Sequence, residues 1–161
     1  MPIPSSQLEL LNQQLNQAHR SAVNAELAAR GLSEVGHPVL LTILQSSAAQ
    51  GPPGQCPAQR DLAELLHISP AAVANSLKSL EKGGYIHREP GKDARRNLVV
   101  LTDKGRQAVE GCQEVFELVS QRMMAGFTPA EREQLLSFRR RMLRNLRGDF
   151  PNQPTSKKEE S

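Results

Sequence analysis

Apolar residues recur at steps of three and four along the first part of the chain. The stripe consists of Leu8, Leu11, Leu15, Ala18, Ala22, Ala25 and Ala29. This spacing predicts one long helix from about Ser6 to Arg30, which ends at Gly31. Because so narrow a stripe cannot be buried by a small domain alone, it favours a subunit interface over packing within the chain.

Shorter elements follow in the middle of the sequence. Residues 38–45 predict a buried helix and the Gly- and Pro-rich residues 46–57 a loop, whereas 58–66 predict a short helix. A second helix from Ser69-Pro70 to Lys82 has a capping hydroxyl and a proline in its first turn, and Gly83-Gly84 ends it. Two short helices joined by so short a turn are typical of a helix-turn-helix.

A hairpin and two further helices complete the predicted fold. Residues 85–89 and 96–101 read as strands around a Pro90-Gly91 turn, and a hairpin in this place makes the unit a winged helix. Thr102 begins a long helix, and Thr128 with Glu131 forms a capping box for the last one. We therefore expect a mainly α fold with a small β-hairpin wing. Its expected parts are an N-terminal dimerisation helix (1–36), a winged helix-turn-helix (37–101), C-terminal dimerisation helices (102–147) and a disordered tail (148–161).

Composition narrows the classes of function that the chain can have. Only 3% of the 161 residues are aromatic, so stacking platforms for single-stranded nucleic acid are poorly supplied. No apolar run reaches the roughly 18–20 residues that a membrane span needs, and the N-terminus lacks the pattern of a secretory signal. We expect a cytoplasmic protein without a membrane partner.

No motif for catalysis, for a metal or for a cofactor is present in the sequence. The hydroxyl residues lack a nucleophile-elbow setting, and neither a Walker loop nor a dinucleotide fingerprint occurs. The four histidines form no pair at metal-ligand spacing. Cys56 lies close to a predicted helix start and could be a redox-active thiol or an ordinary loop cysteine, whereas Cys112 is expected to pack inward.

The outward face of the second helix of the motif is the candidate surface for DNA bases. It carries small and polar side chains that would let the backbone approach a major groove, and no acidic residue occurs between Glu64 and Glu81. The alternative is an ordinary solvated face. The residues expected to contact DNA on this helix are Ser69, Pro70, Ala71, Ala74, Asn75, Ser76, Lys78 and Ser79.

Positive charge is concentrated in the same part of the chain. Between Lys78 and Arg106 there are eight basic and four acidic residues, a local charge of +4 in a chain whose net charge is +3. Contacts with DNA phosphates are therefore expected here, with Arg88, Lys92 and Arg96 among them. The arginine-rich last helix, in contrast, is expected to be a solvated face that supports a dimer, with further phosphate contact as the alternative.

Residues 93–105 (DARRNLVVLTDKG) resemble the D-x-R…L-T-x-x-G wing signature of the MarR (multiple antibiotic resistance regulator) family. Residues 80–88 (LEKGGYIHR) are similar to that family's L-E-x-x-G-x-I-x-R passage, and Asp61-Leu62-Ala63 stands where the family usually has E-L-A. The resemblance implies a homodimer on a pseudo-palindromic operator in double-stranded DNA, in most cases a repressor that a small-molecule effector releases. It also implies that Arg95 enters the minor groove and that Asp93 orients it. The alternatives are an ordinary hairpin with a surface Asp–Arg pair and, for the whole chain, a winged helix used only for protein–protein assembly.

Overall fold

A computed structural model describes residues 3–50, 59–90 and 97–148 of the chain. The chain divides into two units, residues 1–120 and residues 121–161. The elements are α1 (Ser5–Ala29), α2 (Pro38–Gln50), α3 (Gln59–Leu66), α4 (Pro70–Lys82), β1 (Ile86–Pro90), β2 (Asn97–Leu101), α5 (Asp103–Met123) and α6 (Pro129–Arg147). This mainly helical fold with one small hairpin confirms the fold class predicted from the sequence.

Two helix starts form through the capping residues that the sequence indicated. The Ser69 hydroxyl accepts a hydrogen bond from the Ala72 amide at 3.1 Å, at the beginning of α4. At the start of α6, the Thr128 hydroxyl accepts from the Glu131 amide at 3.2 Å while the Glu131 carboxylate accepts from the Thr128 amide at 2.8 Å. Each bond satisfies a backbone group that the first helical turn leaves without a partner.

The core of residues 1–120 is apolar and is shared by α2, α3, α4, β1 and α5. Among the described residues, no charged or polar side chain is fully buried. The largest side chains shielded completely from solvent are Leu40, Leu41, Leu62, Leu77, Leu80 and Ile86. Because α3 and α4 each contribute one apolar face to this core, their opposite faces point to solvent.

Within the single chain, the C-terminal part of α1 packs against the core through a face that differs from the predicted stripe. Of the stripe, Ala22 is half-buried while Ala25 and Ala29 are exposed, and the buried residue is Leu27, which lies outside the stripe. The contact face rotates towards Val23 and Leu27. Further up the helix, Leu8, Leu11 and Leu15 are 45%, 59% and 40% exposed. The N-terminal half of α1 therefore presents leucines that the described part of residues 1–120 does not cover.

The hairpin is a two-stranded antiparallel sheet that follows α4 directly. Ile86 pairs with Leu101 and Pro90 with Asn97. Its base is closed by Thr102, whose amide donates to the Tyr85 carbonyl at 3.1 Å. The Thr102 hydroxyl donates to the Gly84 carbonyl at 2.6 Å and accepts from the Gly105 amide at 3.0 Å. One threonine thus joins the exit of α4, the end of β2 and the first turn of α5.

Gly105 allows α5 to pass directly against the backbone of Tyr85. A Cβ atom at position 105 would lie 1.9 Å from the Tyr85 carbonyl oxygen and 3.1 Å from a methyl group of Leu101. Backbone cannot rotate away as a side chain can. A side chain of any size at this position would therefore force α5 away from the base of the hairpin.

We predict that Gly105→Ala lowers the free energy of unfolding by about 3 kcal/mol, the upper end of the range for overpacked sites. Gly111→Ala is the matched control, because it lies in the same helix and its Cβ would meet only the Leu32 side chain, at 2.5 Å. Since Leu32 can move and alanine favours helix, that change should stay within about 1 kcal/mol. Urea unfolding of the two variants measures the difference, and equal effects would contradict the backbone clash.

Candidate nucleic-acid interface

The outer face of α4 is a surface of small side chains, of which Lys78 is the charged exception. Val73, Leu77 and Leu80 are buried on the inner side of the helix. On the outer side, Ala74 and Ser76 are half-buried. The exposed residues are Ser69, Pro70, Ala71, Asn75, Lys78 and Ser79. Every residue of α4 that was expected to contact DNA is therefore accessible at least in part, and the short side chains let a partner approach the helix backbone.

The turn that joins α3 to α4 sets the direction of this face. His67 adopts a left-handed conformation, with φ of 53°, at the end of α3. The Ile68 amide donates to the Ala63 carbonyl at 3.2 Å, so the last turn of α3 closes across His67. Glycine usually occupies such a position. The pattern of the sequence located this turn but gave no sign that a histidine would supply its left-handed residue.

The segment between α1 and α2 borders the outer face of α4. A Cβ atom at Gly36 would lie 2.7 Å from the Ser79 hydroxyl oxygen. The His37 Nδ1 atom accepts from the Leu40 amide at 3.1 Å and so begins α2. Ser79 therefore lies at the edge of the surface, beside this segment.

Three of the basic residues between Lys78 and Arg106 are engaged within the protein. The Arg88 Nε atom lies 3.2 Å from a Glu81 carboxylate oxygen. The Lys104 ammonium donates to the Gly83 carbonyl at 2.6 Å and lies 4.6 Å from the centre of the Tyr85 ring. Arg106 pairs with Asp103. The count of eight basic residues therefore overstates the number of cations that are available to contact DNA phosphates.

Lys78 and Lys82 are the cations of α4 that remain available. Both are exposed, and neither forms an ion pair within residues 3–50, 59–90 and 97–148. Lys82 was not among the residues expected to contact DNA. Its position four residues after Lys78, and so on a neighbouring part of the helix surface, is the signal that could have identified it. Arg60 on α3 is also exposed, with its Nε atom 3.5 Å from Glu64.

The predicted tip of the wing lies outside the described residues. This concerns Lys92, Asp93, Arg95 and Arg96, whose roles stay predictions from the sequence. The same holds for Cys56 and its possible redox chemistry. Among the described residues, no group of three or more His, Cys, Asp or Glu side chains could hold a metal ion.

Cys112 is fully buried on the inner face of α5, as expected from its place in the apolar stripe. Burial raises the pKa of its thiol above the ordinary value of 9.0. Burial also raises the pKa of the neighbouring Tyr85, with smaller effects from Glu34 and Cys112. Cys112 is therefore a protonated, inaccessible packing residue at neutral pH.

Comparison with known proteins shows which family the chain is similar to. The model of the MarR family matches residues 47–96, a segment that includes α3, α4 and β1. The helix-turn-helix transcriptional regulator YdgJ of Bacillus subtilis is 36% identical over 89 residues, which is 55% of this chain and 54% of YdgJ. The match thus spans about half the length of this relative.

Solved structures of similar proteins extend the likeness to the fold of nearly the whole chain. A probable transcriptional regulator from Pseudomonas aeruginosa is 25% identical, with a TM-score of 0.68 over 84% of this chain and 96% of that one. MepR of S. aureus, solved in complex with DNA, is 22% identical, with a TM-score of 0.68 over 89% and 96% of the two chains. BpsR of Bordetella bronchiseptica, whose DNA binding is regulated by 6-hydroxynicotinic acid, is 24% identical, with a TM-score of 0.69 over 88% and 96%.

YdgJ and the Pseudomonas aeruginosa protein are described as transcriptional regulators and not as enzymes. None of the described helices is long and apolar enough to cross a membrane.

We predict that Cys112 resists thiol reagents as long as the protein is folded. The raised pKa keeps the reactive thiolate scarce until the pH rises above 9.0, and burial denies the reagent access. Cys56→Ser leaves Cys112 as the one thiol of the chain, so a chromogenic disulfide reagent at pH 8 reads it directly. The colour should appear only when urea unfolds the variant. A rapid reaction of the folded variant would contradict the assignment.

Proposed function

We propose that the chain is a homodimeric transcriptional regulator that binds a pseudo-palindromic operator in double-stranded DNA. The outer face of α4 is the observation that carries this proposal, since its side chains are small and accessible and no acidic residue occurs from Ser69 to Leu80. A major groove is wide enough to admit such a helix. Of the eight α4 residues expected at DNA, Asn75 has the side chain that can pair with an adenine edge, and Lys78 has the charge for a phosphate.

Dimerisation is supported by apolar surfaces that each unit leaves uncovered. On α1, Leu8, Leu11 and Leu15 are exposed, and no charged residue occurs in residues 10–18. On α6, the exposed apolar residues are Leu136, Phe138, Met142, Leu143 and Leu146. Exposed apolar faces of this length are disfavoured in water and mark interfaces. A second copy of the chain is the occupant that we propose, because two winged helices related by a two-fold axis match a palindromic site.

We propose further that the regulator is a repressor which a small molecule releases from DNA. A cleft of about 440 Å³ lies between the end of α1, Tyr85 and the first turns of α5. Its volume is in the range of small-molecule sites. A ligand in this cleft would touch Leu32, Tyr85 and Gly111. It would thus contact α5 and the turn that joins α4 to β1. The regulation of BpsR by 6-hydroxynicotinic acid supports this part of the proposal by analogy of fold.

The salt dependence of duplex binding tests the DNA-binding proposal. We expect Lys78→Ala to weaken binding to every duplex about equally and to reduce the slope of log K against log salt by about one phosphate equivalent. Asn75→Ala should cost about 1–3 kcal/mol on the operator alone, leave non-specific binding unchanged and relax base preference at one position. A protein–protein assembly module would show little duplex affinity and no salt slope.

We predict that replacing Leu11 and Leu15 with glutamate yields a monomer that binds the operator weakly. Both side chains are exposed in the single chain, so the changes should leave the free energy of unfolding of the monomer unperturbed. Sedimentation at micromolar concentration measures the assembly state. The control is the exposed pair Asn12 and Asn16 on the same helix, whose replacement with glutamate should preserve the dimer. A monomeric wild type would contradict the operator model.

We predict that Arg95→Ala weakens operator binding by about 1–3 kcal/mol and lowers the salt slope by about one phosphate equivalent. Arginine is always charged and weakly hydrated, so it enters a narrow minor groove readily. Asp93→Ala should cause part of the same loss although it removes a negative charge. Tighter binding of Asp93→Ala, with Arg95→Ala unchanged, would overturn the wing assignment.

A further inference from the structure

An ion pair joins the first strand of the wing to the recognition helix. Arg88 lies in the middle of β1, and its Nε atom is 3.2 Å from a carboxylate oxygen of Glu81, in the last turn of α4. The arginine side chain is 23% exposed and the glutamate side chain 47%. The pair spans the turn at Gly83-Gly84, where Gly84 takes a φ of +79°. It therefore adds a side-chain link between two elements that backbone hydrogen bonds join at the turn, such as the one from the Tyr85 amide to the Leu80 carbonyl at 3.0 Å.

The guanidinium of Arg88 is turned towards the protein. Its Nε and Nη2 atoms are shielded from solvent and have no hydrogen-bond partner in the part of the chain that the structure describes. These donors lose hydration without full replacement, which is unfavourable for folding. A neutral side chain of similar length would avoid this penalty. The stability of the fold therefore does not account for an arginine at this position.

A direct contact between Arg88 and a DNA phosphate is disfavoured by the same geometry. A phosphate would have to reach a guanidinium of which two nitrogens are already shielded, and it would compete there with the Glu81 carboxylate. Lys78 and Lys82 are exposed on α4 and meet neither obstacle.

We infer that Arg88 and Glu81 position the wing relative to the recognition helix, so that the hairpin and α4 reach neighbouring DNA grooves together. Arg88 is then a positioning residue and not a DNA contact. This inference rests on the proposed function, because it assigns a role within the same DNA-binding surface. A change of angle at Arg88 would be carried along β1, while α4 stayed in place.

The direction in which Glu81→Gln changes operator affinity distinguishes a positioning role from no structural role. A carboxylate beside DNA that has no structural role repels phosphates, so its removal would tighten binding. A carboxylate that holds Arg88 in place has the opposite effect, and we expect operator affinity to fall about tenfold. Glu89→Gln is the matched control, since Glu89 is an exposed carboxylate on the same strand, paired with His87 at 2.8 Å. The control should bind the operator at least as tightly as the wild type.

Arg88→Met separates positioning from stability. We expect its melting temperature to equal or exceed that of the wild type, because the shielded donors are gone, while operator affinity falls about tenfold as in Glu81→Gln. Wild-type or tighter binding by Glu81→Gln would overturn the inference. Loss of stability and affinity together in Arg88→Met would overturn it as well, in favour of a structural role.

An NMR measurement without DNA keeps this test independent of the proposed function. In the wild type the Arg88 Nε–Hε signal should be observable at neutral pH, because the Nε atom lies 3.2 Å from the Glu81 carboxylate and is shielded from exchange with solvent. Glu81→Gln should broaden or abolish that signal and shift the amide resonances of β1 and β2, whereas Glu89→Gln should leave the Arg88 signal in place. An unchanged Arg88 signal in Glu81→Gln would overturn the inference. A wild type that binds no duplex, with the NMR result as expected, would instead refute the proposed function.

Discussion

The close approach of α5 to the backbone of Tyr85 is the constraint on which the winged helix depends. A side chain at Gly105 would lie 1.9 Å from the Tyr85 carbonyl oxygen, so only glycine allows α5 to start where it does. The Thr102 hydroxyl then donates a hydrogen bond to the Gly84 carbonyl, after the end of α4, and accepts one from the Gly105 amide, in the first turn of α5. Lys104 adds a hydrogen bond to the Gly83 carbonyl, directly after the end of α4. The L-T-x-x-G spacing is therefore a packing requirement that fixes α4, the hairpin and α5 against one another.

Most of the local structure could be predicted from the sequence because local chemistry decides it. Ser69 with Pro70, and Thr128 with Glu131, specify helix starts by satisfying backbone groups a few residues away. The apolar periodicity of α5 likewise located Cys112 in the core. The stripe of α1 was predicted less well. Alanines fit either a buried or an exposed position, and the contact that selects Val23 and Leu27 depends on the elements packed against the helix.

The site was predicted in part, since charge counted along the sequence differs from charge available in the fold. Arg88, Lys104 and Arg106 are basic and close in sequence to the recognition helix, yet each is engaged with an acceptor of the protein itself. The acceptors are Glu81 and two backbone carbonyls, which tertiary structure brings near. The small side chains of the outer face of α4, in contrast, follow from helical periodicity alone. A regulator built in this way would fit the small outer face of α4 into the major groove of DNA. It would rely on a few exposed cations for attraction to phosphates.

Hydroxyl-radical footprinting on the DNA that flanks the gene of this protein tests the central claim most directly. A dimer with two α4 helices in successive major grooves should protect two half-sites related by a two-fold axis, with centres about 10 base pairs apart or a multiple of that distance. The protected sequence should read as an imperfect palindrome, and the protection should fade as salt is raised. Uniform protection without symmetry, or none at concentrations where the protein is dimeric, would contradict the account.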